Sequence, residues 1–341
     1  MTTTQPFHDE PRSAVIKRRL VTVSRSVALC LIITALLPIL LVGAATVDVV
    51  RWIVAKRPWM SVRVVLFGWS FFVTEVIGLA WLLAVWLMSG FGKDRVRLVA
   101  RTWPVQRWWA RTLFAAVRRL FRIELEVSDH DVTTPGPIIA MFRHASIVDN
   151  LLPALLLTDA KQFRMRWIIK RELLELPSLD VAGRRLPNYF VDRNADDPRR
   201  EIRAIRRLAD DLEPDEGVLI YPEGTRFTER RRRRALADLE NRSPALHERA
   251  AAMHHVLPPR VGGPLALLDS GYDVVLCGHE GLGGFARIGD VWSGALLGRT
   301  VRVCFWRIDA ADIPRNRKAR IDWLYSQWER IDAWIGAQKA T

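Results

Sequence analysis

The sequence predicts an α/β domain with a mostly parallel, twisted sheet flanked by helices, preceded by a two-helix membrane hairpin. Three observations lead there. From residue 123 onward, short apolar runs of strand length alternate with charged, helix-periodic stretches, the pattern of βαβ units. Before residue 91 the chain holds two long apolar blocks, each long enough to cross a bilayer. Finally, several of the strand-like runs end in polar turns rich in His, Asp, Glu and Arg, where α/β domains place their functional loops.

The bulk numbers bound the function. A chain of 341 residues holds one large domain or two ordinary ones. Half of it is apolar, and its net charge of +14 comes mostly from arginine. That excess suits an anionic partner such as phospholipid headgroups, nucleic acid or a phosphate-bearing substrate. The arginines form no recognisable nucleic-acid reading module, and two membrane spans would tether one, so nucleic acid is set aside. Cys30, Cys277 and Cys304 lie far apart and predict neither a disulfide framework nor a zinc site.

Taken in order, residues 1–26 read as a basic tail with Arg12, Lys17, Arg18, Arg19 and Arg25. Residues 27–91 read as the hairpin, with spans at about 27–47 and 64–89. Pro38 predicts a kink in the first span. Glu75, near the middle of the second, is costly in lipid and should face the other helix or be protonated. The first block is longer than a signal-peptide core and a second span follows, which favours a retained anchor. Basic residues flank both ends of the hairpin, so the positive-inside rule predicts two spans in the cell membrane with the tail and the α/β domain cytoplasmic. Residues 92–122 read as a basic interfacial segment. Within it, 102–122 carry Trp109, Leu113, Val117 and Phe121 at i+4 spacing, an amphipathic helix suited to an anionic membrane surface or to packing on a core.

Residues 123–341 read as the α/β domain. Strands are expected at 123–127, 137–141, 166–169, 188–191, 217–221, 273–277 and 300–306, with helices at 198–212 and 318–335. The arginine run 230–234 reads as a solvated loop or an anion contact.

The most informative segment is His144-Ala145-Ser146-Ile147-Val148-Asp149, directly after the buried-type strand. On a straight helix five residues rotate about 500°, leaving the two side chains roughly 140° apart. On a strand an odd offset puts them on opposite faces. They can meet only through a turn, which the switch from a β-like run to a helix-like run at 151–157 suggests. A neutral imidazole can then accept a proton from an alcohol while the aspartate fixes its tautomer. Ser146 lacks the glycine-flanked elbow of a serine hydrolase. Four further segments follow strands or form turns: Trp167 to Leu173 with Lys170, Tyr189 to Asn194 with Arg193, Tyr221 to Phe227 with Glu223-Gly224-Thr225-Arg226, and Val256 to Arg260 with Pro258. Gly224 permits a tight turn, and Thr225 and Arg226 suit a phosphate. Singly, each reads equally as a solvated charge pair or a plain loop.

In order and spacing, these segments resemble the lysophosphatidic acid acyltransferase (1-acylglycerol-3-phosphate O-acyltransferase) family. His144 and Asp149 match its H-x4-D block. Phe190 and Arg193 match the aromatic-x-x-Arg end of its second block, with Lys170 matching a lysine before it. Glu223-Gly224-Thr225-Arg226 matches its E-G-T-R block without substitution. Leu257-Pro258-Pro259-Arg260 is similar to the L-x-P-R form of the lysocardiolipin acyltransferase-like branch. The resemblance covers roughly residues 120–280.

It implies a glycerol-3-phosphate acyltransferase-like fold. It implies transfer of a fatty acyl chain from acyl-CoA or acyl-carrier-protein to the free hydroxyl of a lysophospholipid, most simply 1-acyl-glycerol-3-phosphate, giving phosphatidic acid. His144 is then the general base and Asp149 its orienting partner. Arg193, Glu223 and Arg226 bind the glycerol-phosphate part, Gly224 and Thr225 shape that pocket, Lys170 assists with phosphate, Phe190 lies in the acceptor block and Pro258 supports the wall. No bound metal or cofactor is expected, only the thioester co-substrate. The alternatives are a phospholipid-lysophospholipid transacylase or remodelling acyltransferase and, in another class, a non-catalytic adaptor binding anionic lipid. Acyl-chain length, headgroup, donor carrier and oligomeric state are not legible in the sequence.

Overall fold

The computed structural model describes residues 10–192, 197–283 and 292–340. It divides into two compact units. One draws on Met1–Arg122, Ile168–Ala195 and Val291–Leu297, the other on Ile123–Trp167, Asp196–Asp290 and Gly298–Thr341.

The first unit is built on three helices, α1 (Arg12–Ala55), α2 (Ser61–Met88) and α3 (Arg95–Phe121). α1 and α2 are long and apolar enough to cross a membrane. α1 begins at Arg12, inside the segment read as a tail, because its first turns are held by ion pairs. Arg18, Arg19 and Arg184 converge on the fully buried Asp180 at 3.2, 3.0 and 2.8 Å, and Glu10 pairs with Arg18 and Arg184. Asp180 and Arg184 belong to α5 (Pro177–Arg185). The turn after α1 is fixed by Asp48, whose carboxylate accepts from the backbone N–H groups of Met60, Ser61 and Val62 at 2.9 to 3.1 Å. It thereby satisfies the open N-terminus of α2 from a distance. Glu75 does not face α1. It accepts from Trp109 Nε1 of α3 (3.1 Å) and from the Ser178 N–H in the first turn of α5 (2.7 Å), so its carboxyl oxygens satisfy an open donor at another helix N-terminus.

α3 starts seven residues before the predicted amphipathic helix, capped by Asp94, which accepts from Arg97 N–H at 2.9 Å. Its buried stripe includes Leu98, Val105, Leu113, Val117 and Phe121. Leu98 and Val105 share a cluster with Leu82 and Val85 of α2 and Ala182 of α5, so the helix is a packing element of this unit.

The second unit carries most of a seven-stranded sheet of order β1-β7-β6-β2-β5-β3-β4. The strands are β1 (Glu124–Ser128), β2 (Ile138–Phe142), β3 (Arg164–Lys170), β4 (Tyr189–Val191), β5 (Glu216–Ile220), β6 (Asp273–Glu280) and β7 (Thr300–Ile308). All pairings are parallel except β6 with β7. β3 is shared: Arg164–Trp167 pair with β5, while Ile168–Lys170 pair with β4 in the first unit. β2 and β5 are buried at every position, which is why they read as unbroken apolar runs rather than alternating ones. The helices of this unit are the short α4 (Leu151–Pro153), α6 (Pro198–Arg207), α7 (Glu229–Glu240), α8 (Pro244–Ala252), α9 (Gly262–Leu268) and α10 (Arg317–Ala340). α7 replaces the loop expected over the arginine run. Thr228 caps it by accepting from Arg231 N–H (3.2 Å), arginine is a good helix former, and Arg232 reaches the carbonyls of Met253 (2.7 Å) and Ala251 (2.8 Å) near the end of α8.

Candidate active site

The site grows from the carboxyl end of β2, the strand between β5 and β6. The ladder continues one residue past it, with Arg143 N–H donating to the Cys277 carbonyl at 3.0 Å. The chain then turns through Ala145 to Ile147, and a single 3-10 turn over Val148–Asn150 lifts Asp149 back toward the strand end. This turn does what neither a helix nor a strand could. His144 Nδ1 lies 3.0 Å from Asp149 Oδ1. The other carboxylate oxygen, Oδ2, accepts from the N–H groups of Ala145 (2.6 Å) and Ser146 (2.7 Å). Asp149 therefore holds the turn that presents its own partner. Ser146 is used locally, its Oγ accepting from Val148 N–H at 3.1 Å.

Asp149 is 1 % exposed and His144 7 %. Burial opposes ionisation of the aspartate, but His144 and His279 outweigh it and hold the carboxyl well below the usual carboxylate range. An ionised carboxylate only accepts, so Nδ1 carries the proton of the neutral imidazole and Nε2 is left as the basic nitrogen. Nε2 has no hydrogen-bond partner among the described residues.

The loop after β5 pins His144 by its main chain. Glu223 Oε1 accepts from His144 N–H at 2.8 Å, and Phe227 N–H donates to the His144 carbonyl at 2.7 Å. Glu223 Oε2 accepts from Leu257 N–H at 2.9 Å, and Arg260 N–H donates to the Pro222 carbonyl at 2.8 Å. Residues 257–260, with Pro258 and Pro259 buried, are thus strapped to the same loop. Burial pushes the Glu223 carboxyl up to about 8, against the pull of Arg143 and the two N–H donors. Both of its oxygens already accept backbone hydrogen bonds. Gly224 has φ +69, which favours glycine, and a Cβ there would lie 2.8 Å from Arg260 Cδ and displace that exposed side chain. Thr225 and Arg226 are half-buried beside it, and the Arg226 side chain makes no hydrogen bond or ion pair with a described residue.

The structure thus brings His144, Asp149, Glu223, Gly224, Thr225, Arg226 and Pro258 into one neighbourhood of the second unit. Lys170, at the end of β3, and Phe190, in β4, belong to the first unit. Phe190 is 6 % exposed and packs over Gly183 of α5. Arg193 lies outside the described residues.

Three neighbours were not singled out in the sequence. The Tyr221 ring lies against the His144 imidazole, with centroids 4.5 Å apart. His279 in β6 is fully buried, its Nε2 donating to the Arg143 carbonyl at 3.1 Å and lying 3.5 Å from Asp149 Oδ2. Burial holds this imidazole below its usual pKa, in the neutral form. Arg143, 3 % exposed, donates to the carbonyls of His279 (2.6 Å) and His255 (2.8 Å). His279 could be found only through strand order, since β6 flanks β2 although distant in sequence, whereas Arg143 and Tyr221 lie beside the segments around His144 and Glu223.

Residues 124–255 match the family model described as Acyltransferase. No curated protein matches the chain significantly. Among solved structures, the fold is similar to the crystal structure of the 1-acyl-sn-glycerophosphate (LPA) acyltransferase PlsC from Thermotoga maritima. That likeness has a TM-score of 0.56 at 15% identity, over 83% of this chain and 97% of that one.

Proposed function

We propose, from the match of residues 124–255 to the Acyltransferase family model, that the chain transfers a fatty acyl chain from acyl-CoA or acyl-carrier-protein to the free hydroxyl of 1-acyl-glycerol-3-phosphate. The observation that carries the reading is the 3.0 Å contact between His144 Nδ1 and Asp149 Oδ1, which leaves Nε2 open. In the proposed reaction Nε2 takes the proton of the acceptor hydroxyl as its oxygen attacks the thioester carbonyl carbon. Asp149 stabilises the imidazolium that forms. Collapse of the tetrahedral intermediate breaks the C–S bond, and the imidazolium returns its proton to the departing thiolate. The products are an ester and a free thiol, with no acyl-enzyme.

The remaining residues bind or position. Arg226, with Thr225 and the backbone turn at Gly224, grips the acceptor phosphate. Glu223 acts as a bracket between the His144 and Leu257 backbones, and Pro258 stiffens the strap behind it. No resident metal or cofactor has a step in this scheme. The long apolar helices α1 and α2 support a membrane location, which suits an amphiphilic acceptor and product. Cytoplasmic placement of the catalytic residues rests on the basic flanks of the hairpin.

The test is incubation of the detergent-purified protein with labelled acyl donors and a panel of lysophospholipids. Phosphatidic acid should form from 1-acyl-glycerol-3-phosphate and a thioester. Transfer from intact phospholipid alone would favour a transacylase, and headgroup binding with no transfer from any donor would favour an adaptor.

A further inference from the structure

A cavity of about 310 Å³ lies in the second unit, bounded by Arg143, Ala145, Phe227, Glu280, Arg299 and Lys339. Its volume is within the range of small-ligand sites. It adjoins the catalytic turn, since Ala145 follows His144. Three of its side chains are cationic against one carboxylate, Glu280.

Arg143 is the informative one. Its guanidinium is buried, donates to two backbone carbonyls, and forms no ion pair among the described residues. Its Nε has no partner. The carboxylates of Glu223, Asp149, Glu280 and Asp332 act on it only at longer range, and burial outweighs them, lowering its pKa. A buried cation with no carboxylate in direct contact is costly in a folded protein, and an anion entering the cavity would lower that cost. Arg299 and Lys339 are both exposed, so they form the rim. Lys339 Nζ sits 3.2 Å from His255 Nδ1.

Phe227 of the loop after β5 forms one wall of this cavity, while its charged side chains come from the end of β2, the end of β6 and beyond. Thr225 and Arg226 follow β5 on one side of β2, whereas Glu280 ends β6 on the other. The acceptor hydroxyl and the thioester carbonyl must both reach His144, and each carries its own phosphate. We propose that this cavity is the subsite for the phosphate-bearing pantetheine arm of the acyl donor, with Arg143 lining its depth and Arg299 and Lys339 holding the anion at its mouth. The proposal rests on the acyl-transfer reading for the identity of the ligand.

The test uses the full chain in detergent and the rim variant Arg299→Gln/Lys339→Gln, which leaves the buried core intact. The KM for acyl-CoA should rise about tenfold or more, the scale of losing charge-assisted contacts, with the KM for 1-acyl-glycerol-3-phosphate unchanged. Glu280→Gln should move the donor KM the opposite way. Repeating the series with acyl-carrier-protein separates the sources. A rise with both donors supports the shared pantetheine phosphate, whereas a rise with acyl-CoA alone assigns its nucleotide phosphates, and a rise with acyl-carrier-protein alone assigns the carrier protein, and either overturns the pantetheine assignment. An unchanged donor KM, or a rise confined to the acceptor, overturns the proposal. Calorimetric binding of free CoA to His144→Ala keeps this distinct from turnover. CoA should bind that variant, and addition of the rim substitutions should abolish binding. The same loss of CoA binding, with no acyl transfer by the wild-type protein from any donor, would sink the acyl-transfer reading and leave an anion subsite. Equal CoA binding with and without the rim cations, or none in either protein, would sink the subsite.

Discussion

At the scale of single residues, the account turns on how completely His144 is held. Its ring is fixed by Asp149 and Tyr221, and both of its backbone polar groups are bonded to the loop after β5. Asp149→Asn should lower kcat by about 10²–10⁴, the range attributed to positioned general bases, with the acceptor KM little changed. Steady-state kinetics in both substrates check this. Glu223→Gln turns an amide nitrogen toward one of two backbone N–H donors. The unsatisfied donor should cost about 1–3 kcal/mol of stability, read as a lower thermal midpoint. Its pH dependence has a definite sign. The folded pKa of Glu223 is raised from 4.5 to about 8, so the folded state holds this proton more tightly than the unfolded one. The stabilisation is complete below 4.5 and is lost as pH rises through about 8. Asp149 has the reverse sign, its pKa being lowered, so its contribution is present above the ordinary carboxylate range and lost on acidification. Thermal melts of Glu223→Gln across this range should flatten the alkaline loss and leave the acid one.

At the scale of elements, the strands were legible by two patterns: β2 and β5 as short, fully buried runs closed by polar turns, and β1 and β3 by alternation of apolar and charged residues. The H-x4-D spacing was legible as a geometric demand for a turn, and the turn is there. Less was legible where a partner distant in sequence decides the outcome. α1 starts early because Asp180 captures its arginines, and Glu75 turns toward α3 and α5 because an open helix N-terminus lies there. The arginine run folded as α7 because Thr228 caps it and backbone carbonyls near α8 accept from Arg232. No local pattern announces these partners. The glycine of the β5 loop tests an element directly. Gly224→Ala forces a side chain into φ +69 and against Arg260. It should reduce activity by about tenfold or more through strain of roughly 1–2 kcal/mol, whereas Gly271→Ala, also at positive φ but with open space around it, should cost stability alone. Parallel assays and melts of the two variants separate site distortion from backbone strain.

At the scale of the whole molecule, the chain joins a unit with two membrane-length helices to a unit with the candidate active site, and only two residues separate α3 from β1. If the apolar helices span the bilayer, the protein should stay in the membrane pellet through high salt and alkaline carbonate, which strip proteins held only by basic surfaces. Release by salt would reduce the hairpin to a surface contact. The central claim is narrower, and one experiment bears on it most directly: single-turnover acyl transfer to 1-acyl-glycerol-3-phosphate by wild type and by His144→Ala, with circular dichroism verifying that the variant is folded. The account predicts a folded variant whose transfer rate falls at least about a hundredfold. A folded variant that still transfers at a rate near wild type would contradict it.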